Sequence, residues 1–276
     1  LGQYTLQEGS LKPATINGKD QTIWLSTQQA IVYSCYPVTD ATTITAAGNA
    51  SSPVYTIPVR ANAIVYSNTV ANVSSLDFTV PGNDYMYGVA YNTTAKTFET
   101  TQPIADNGHR ASDSKGEKIN LGLKHAFCLV SLKFKKHTDY VGPCNLTKIT
   151  YSRPIPTLQT NGTTTMSLKD GALGNLTGAK AGTPVKYEYT VNGGVTVAAT
   201  TDGIEFINYG VPFPSGTANV TAATLTVVVD GKEMKLDTIT DGGEWSAGNK
   251  YTYTISIHGT GLKLDGFNVV GWTNES

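Results

Sequence analysis

Charge is scarce in this chain. Asp, Glu, Lys and Arg make up 15% of the 276 residues, against about 25% in a typical soluble domain. The signs nearly cancel, leaving a formal net charge of −1, and no basic block stands out, which excludes the footprint of a nucleic-acid-binding surface. No run approaches the roughly 18 apolar residues of a membrane-spanning helix, and no signal peptide is visible in the sequence, whose opening LGQYTL looks like that of a mature or trimmed product. Cysteine is sparse as well. Cys35, Cys128 and Cys144 are an odd set without C-x-x-C spacing, which excludes a zinc knuckle and a dense disulfide framework. Cys35 and Cys128 sit in the apolar runs IVYSCY and HAFCLV, the usual setting of a buried free thiol; Cys128 with Cys144 is the one pair that merits a test for a bridge.

The signatures of catalysis are missing too. No G-x-S-x-G elbow, H-E-x-x-H, P-loop or Rossmann glycine fingerprint occurs. Ser112 and Lys115 have S-x-x-K spacing, but they lie in a polar stretch and the accompanying K-T-G is absent. The histidines, 109, 125, 137 and 258, are scattered without ligand spacing. His125, inside an apolar strand, reads as a hydrogen-bonded structural residue. Asp202-Gly203 and Asp241-Gly-Gly-Glu244 do not space oxygen ligands as an EF-hand does and read as turns. The chain is therefore expected to have no catalytic residues, and no cofactor or metal is expected.

Thr, Asn, Gly and Tyr take the place of charge, a composition of strands and turns. Strand-like segments recur every ten to twenty residues, separated by Asn-Gly, Asp-Gly and Pro-Gly signals. Asp230-Gly231, between LTVVV and KEMKL, is a two-residue hairpin signal, and Asn192-Gly193-Gly194 reads as a turn. The longest strand is expected over 121–134. Ala126, Cys128, Val130, Leu132 and Phe134 share one parity while Phe127 and Leu129 take the other, so this strand should be covered on both faces. The polar stretch before it, 106–118, puts a domain boundary near residue 120: an N-terminal β-sandwich over 1–120 and a C-terminal one over 121–276.

The chain's end is unusual. A strand of clean alternation, 251–258, leads through His-Gly-Thr-Gly into LKLDGFNVVGWTNES, where Leu262, Leu264, Val270 and Trp272 share one parity and Phe267 and Val269 the other, with Asp265-Gly266 as a break. Terminal residues are usually polar and frayed unless docked. This apolar tail needs a partner surface, in its own sheet or in another molecule.

Four segments, in this order, resemble a Bacteroidales fimbrillin, a type V pilin or fimbrillin-like surface lipoprotein. They are Asp84-Tyr-Met-Tyr-Gly88, the strand around His125-Ala126, Trp245-x-x-Gly248-x-x-Tyr251, and the closing Val269-Val-Gly-Trp272. The resemblance implies an all-β chain of two tandem transthyretin-like Greek-key β-sandwich domains. It also implies a fimbrial subunit at the cell surface that contributes to adhesion. Export would use a lipoprotein precursor and the outer membrane, with the lipidated Cys upstream of Leu1. Because Arg60, Arg110 and Arg153 are internal, a processing cut after Arg would precede Leu1. Its partners would be other pilin subunits, joined by strand addition through a C-terminal donor strand of about 262–276, with Leu262, Leu264, Phe267, Val269, Val270 and Trp272 filling pockets in a neighbour. The alternative is a surface lipoprotein or tip adhesin that binds host glycans or proteins. Asp237-Thr238-Ile239 resembles an acceptor for O-glycans in exported Bacteroidales proteins, and N-x-S/T sequons begin at Asn49, Asn92 and Asn145 among others.

Overall fold

A computed structural model describes residues 4–7, 10–13, 15–16, 19–20, 30–37, 44–49, 52–59, 84–105, 119–153, 163–176, 185–199, 203–213, 223–239 and 244–272. Every regular element among them is a strand. Expected strands at 22–25, 63–65 and 76–79 lie outside the described residues, as do Ser112, Lys115, His109 and the last residues, 273–276.

Two four-stranded sheets form the C-terminal sandwich. The first runs in the order Ile204–Gly210, Cys128–Lys136, Asn249–His258, Gly261–Gly271. Its central strand, Cys128–Lys136, pairs antiparallel with Ile204–Gly210 and parallel with Asn249–His258. The second runs Val185–Thr196, Asn145–Arg153, Ala223–Val229, Lys232–Ile239. Between them lies one core, to which the first sheet contributes Cys128, Val130, Leu132, Phe134, Tyr251, Tyr253, Ile255 and Ile257. The second supplies Leu146, Ile149, Tyr151, Leu225, Val227 and Val229. Period-2 alternation explains this division strand by strand. Leu146 and Ile149 both face inward despite opposite parity because the ladder is bulged between Leu146 and Lys148, which resets the alternation.

That bulge has its counterpart opposite. Register jumps from Thr190 to Val195, and Gly193 and Gly194 take φ of 79° and 69°. The expected turn at Asn192-Gly193-Gly194 is thus an irregularity inside one long strand, Val185–Thr196. Asp230-Gly231 does form the hairpin, with Val229 paired to Lys232 and φ of 48° and 76°. These are the two successive positive φ values that a type I′ turn requires.

The other strands form smaller sheets. Met86–Asn92 pairs with Thr97–Phe98, Leu121–His125 and Cys35–Tyr36. A further sheet runs Leu173–Gly174, Thr165–Ser167, Ser52–Pro58, Thr45–Asn49. Two of these pairings cross the boundary expected near residue 120. Leu121–His125 lies beside Met86–Asn92, and Thr165–Ser167 beside Ser52–Pro58.

The single long strand expected over 121–134 is in fact two. A bend at Ala126 and Phe127 separates Leu121–His125 from Cys128–Lys136, and the two pieces belong to different sheets. Ala126, Cys128, Val130, Leu132 and Phe134 are all buried as expected. Beyond the bend, however, Ala126 joins Phe127 and Leu129 in a second core with Ile57, Tyr85, Met166 and Tyr209. The first sheet of the sandwich is consequently covered on its outer face too, at the end where Phe127, Leu129, Ile207 and Tyr209 emerge. The cysteines are free thiols, with Cys128 and Cys144 buried and Cys35 half-buried.

Candidate functional site

The four sequence segments singled out above meet at one place. Asp84 and His125 are both buried, and His125 Nδ1 lies 2.8 Å from Asp84 Oδ2. A hydrogen bond of that length fixes the imidazole plane. Burial pushes the Asp84 carboxyl up from its usual range, against the opposing pull of His125. On the imidazole face lies the indole of Trp272, ring centroids 3.5 Å apart and 11° from parallel, with Tyr209 at 5.7 Å. The Trp272 amide donates to the Gly248 carbonyl at 2.7 Å, and the Gly248 amide donates to the Phe127 carbonyl at 2.8 Å. Gly248 makes both bonds at a φ of 73°, a left-handed conformation that side chains disfavour. Nearby, Trp245 is fully buried and its indole N–H donates to the Tyr253 hydroxyl at 3.1 Å.

The tail that reaches this junction is the edge strand Gly261–Gly271, antiparallel to Asn249–His258 of the same chain. Of the two partner surfaces left open by the sequence, the isolated chain uses its own sheet. Register shifts between Thr254 and Ile255, leaving Asp265 as the extra residue. This bulge is why Leu262 and Leu264 on one parity and Phe267 on the other all lean on the sandwich core. Phe267 lies 5.0 Å from the Tyr253 ring. Val269 and Val270, by contrast, are 43% and 46% exposed, and Trp272 belongs to the second core. The six residues named for a donor strand thus divide into three against the core, two facing solvent and one locked at the junction.

A grouping invisible in the sequence lies past the other end of the central strand. His137 and His258, together with Asp139, bring their ligand atoms within 4.8 Å of one another. The Thr238 side chain lies outside the described residues.

The chain is thus an all-β sandwich protein whose last strand pairs within its own sheet and anchors on a buried histidine. A family profile described as fimbrillin-like matches residues 2–272, and the chain belongs to that family. No curated protein sequence matches it significantly. Among solved structures it is similar to a candidate cell adhesion protein from Bacteroides ovatus ATCC 8483, with 14% identity and a TM-score of 0.55, covering 100% of this chain and 80% of that one. Weaker likenesses include a fimbrial protein from Bacteroides vulgatus ATCC 8482, with 13% identity and a TM-score of 0.48, covering 99% of this chain and 85% of that one. Another is the tip fimbrial protein Mfa3 from Porphyromonas gingivalis, with 8% identity and a TM-score of 0.32, covering 68% and 80%. The first of these supports the fold.

Proposed function

We propose that the chain is a structural subunit of a surface fimbrium that contributes to adhesion, and that its last strand joins one subunit to the next. The observation that carries this reading is the position of Gly261–Gly271. It is the final strand of its sheet, held by a single ladder to Asn249–His258, with Leu262, Leu264 and Phe267 only half-buried. An edge strand with one partner can leave its sheet without breaking any other pairing. Because subunits are identical, the place it leaves is the place it fits in a neighbour, so exchange needs no new complementary surface. Ladder hydrogen bonds then give affinity, and alternate side chains give register.

On this reading the partners are copies of this chain or related pilins. The precursor would be a lipoprotein exported across the outer membrane, and adhesion would involve host glycans or proteins. Membership of the fimbrillin-like family supports the surface location.

Gold-labelled antibody against the chain, applied to the source cells, tests the assignment. Label along surface filaments, and loss of those filaments when the gene is deleted, is the expected result. Intact filaments after deletion, with label spread over the cell envelope, would contradict it.

A further inference from the structure

Cys128–Lys136 and Asn249–His258 run parallel with Lys136 opposite Ile257, so the residues that follow, His137 and His258, emerge side by side. The His137 amide extends the ladder by donating to the Ile257 carbonyl at 3.0 Å. Their imidazoles stack with centroids 3.9 Å apart. Asp139, two residues on, turns back between them. His137 Nδ1 is 2.9 Å from one carboxylate oxygen and His258 Nδ1 is 3.0 Å from the other.

We propose that His137, Asp139 and His258 form a binding site for a first-row transition dication, with zinc as the ion this ligand set suits. Two imidazole nitrogens and a carboxylate oxygen are a familiar three-residue ligand set for zinc, with bonds of about 2.0–2.2 Å. Three such atoms on a tetrahedral ion stand about 3.3 Å apart, by geometry from those bond lengths; the three ligand atoms already lie within 4.8 Å of one another, so a small side-chain adjustment seats an ion. Outer contacts orient the ligands as metal-binding histidines require. His258 Nε2 lies 2.9 Å from the hydroxyl of buried Ser256, which leaves Nδ1 for the ion. The Gly259 amide donates to Asp139 at 3.3 Å. The Asp139 amide lies 3.3 Å from His137 Nδ1, a long contact that a metal bond would replace. Side-chain exposures of 46%, 49% and 18% for His137, Asp139 and His258 give the ion an entry path and leave water its fourth position.

The site has a mechanical consequence independent of the fimbrial reading. His258 ends one strand and Gly261 begins the last, so a bound ion ties the turn that feeds Gly261–Gly271 to the end of the central strand.

The test is zinc titration of the purified, chelator-treated full chain against a chromophoric chelator, alongside thermal melting. Saturable binding of one ion per chain is expected, with the melting temperature rising as zinc is added and not as magnesium or calcium is added, since those prefer all-oxygen sites. His137→Ala and His258→Ala should each weaken binding by at least about tenfold. Asp139→Asn, at an exposed position, should do the same without altering either ring. Circular dichroism of the metal-free variants checks that they fold. No saturable binding by the wild type, or binding that survives the double histidine substitution, overturns the proposal and leaves the three residues as a hydrogen-bonded trio.

Discussion

The indole of Trp272 lies flat on the imidazole of His125, 3.5 Å between ring centroids, although 146 positions separate the two residues in the sequence numbering. This contact, with the Asp84 hydrogen bond behind it, ties the end of the chain to a strand paired with Met86–Asn92. Trp272→Ala should therefore cost about 3–5 kcal/mol, the usual range for emptying a buried aromatic site. In that variant hydrogen exchange should speed first at the backbone amide of position 272, which donates to the Gly248 carbonyl. His125→Phe, which keeps a flat ring but strands the Asp84 carboxylate, should also destabilise, because an unpaired buried charge is costly. Urea denaturation of the two variants measures both effects.

Val130 faces the sandwich core and is buried. Val130→Asp should cost several kcal/mol, because a buried carboxylate without a partner is strongly disfavoured. The expected outcome is insoluble protein or the loss of a cooperative melt. A variant that melts like the wild type would show that this face is not core.

Asp230 does more than turn a hairpin. Its carboxylate accepts hydrogen bonds from the Asn145 amide at 2.8 Å, the Cys144 amide at 3.0 Å and the Tyr140 hydroxyl at 2.7 Å. These bonds, that from the Asn145 amide foremost, hold the Asp230 pKa below its usual value, and the bond to Tyr140 adds to desolvation in pushing that phenol up to about 12. Asp230→Gly keeps the positive φ but removes the acceptors, and should cost about 1–3 kcal/mol. Asp230→Asn, which tolerates the same backbone, should fall between glycine and wild type in a thermal melt.

Glu205 gives a pH prediction. Burial alone would raise its pKa, but the Lys250 ammonium at 2.7 Å and the Ser131 hydroxyl outweigh burial and hold it below the ordinary value. A depressed carboxylate stabilises the fold above its unfolded pKa, about 4.3 for Glu. That stabilisation is lost as pH falls from there through the lower folded value. Melting temperature against pH should decline over that acid window in the wild type and be flatter in Glu205→Gln. Equal slopes in the two proteins would remove Glu205 from the account.

What could be read in advance follows from range along the chain. The inward parity of Cys128, Val130, Leu132 and Phe134, the Asp230-Gly231 hairpin and the hydrogen-bonded, structural character of His125 are local patterns, and the structure has them. The partners were not legible. Nothing local in Thr165–Ser167 announces that it pairs with Ser52–Pro58, and nothing near His137 points to His258, because parallel pairing joins strands far apart in sequence. Bulges were hidden for a different reason: one extra residue at Asp265 or around Thr147 reverses parity without any change in composition. The tail was legible as apolar, but its division into core-facing, exposed and anchored residues needed that bulge.

The central claim is that Gly261–Gly271 passes between subunits, and stapling the strand in place tests it most directly. Thr252 and Asn268 face each other across the last ladder. A Thr252→Cys, Asn268→Cys protein in a Cys35→Ser background can be oxidised to lock the strand into its own sheet. The account predicts a locked subunit that melts higher than the reduced form, adds to no filament, and regains assembly when reductant is supplied. Oxidised subunits that polymerise as well as the wild type would show that the strand never leaves its own chain.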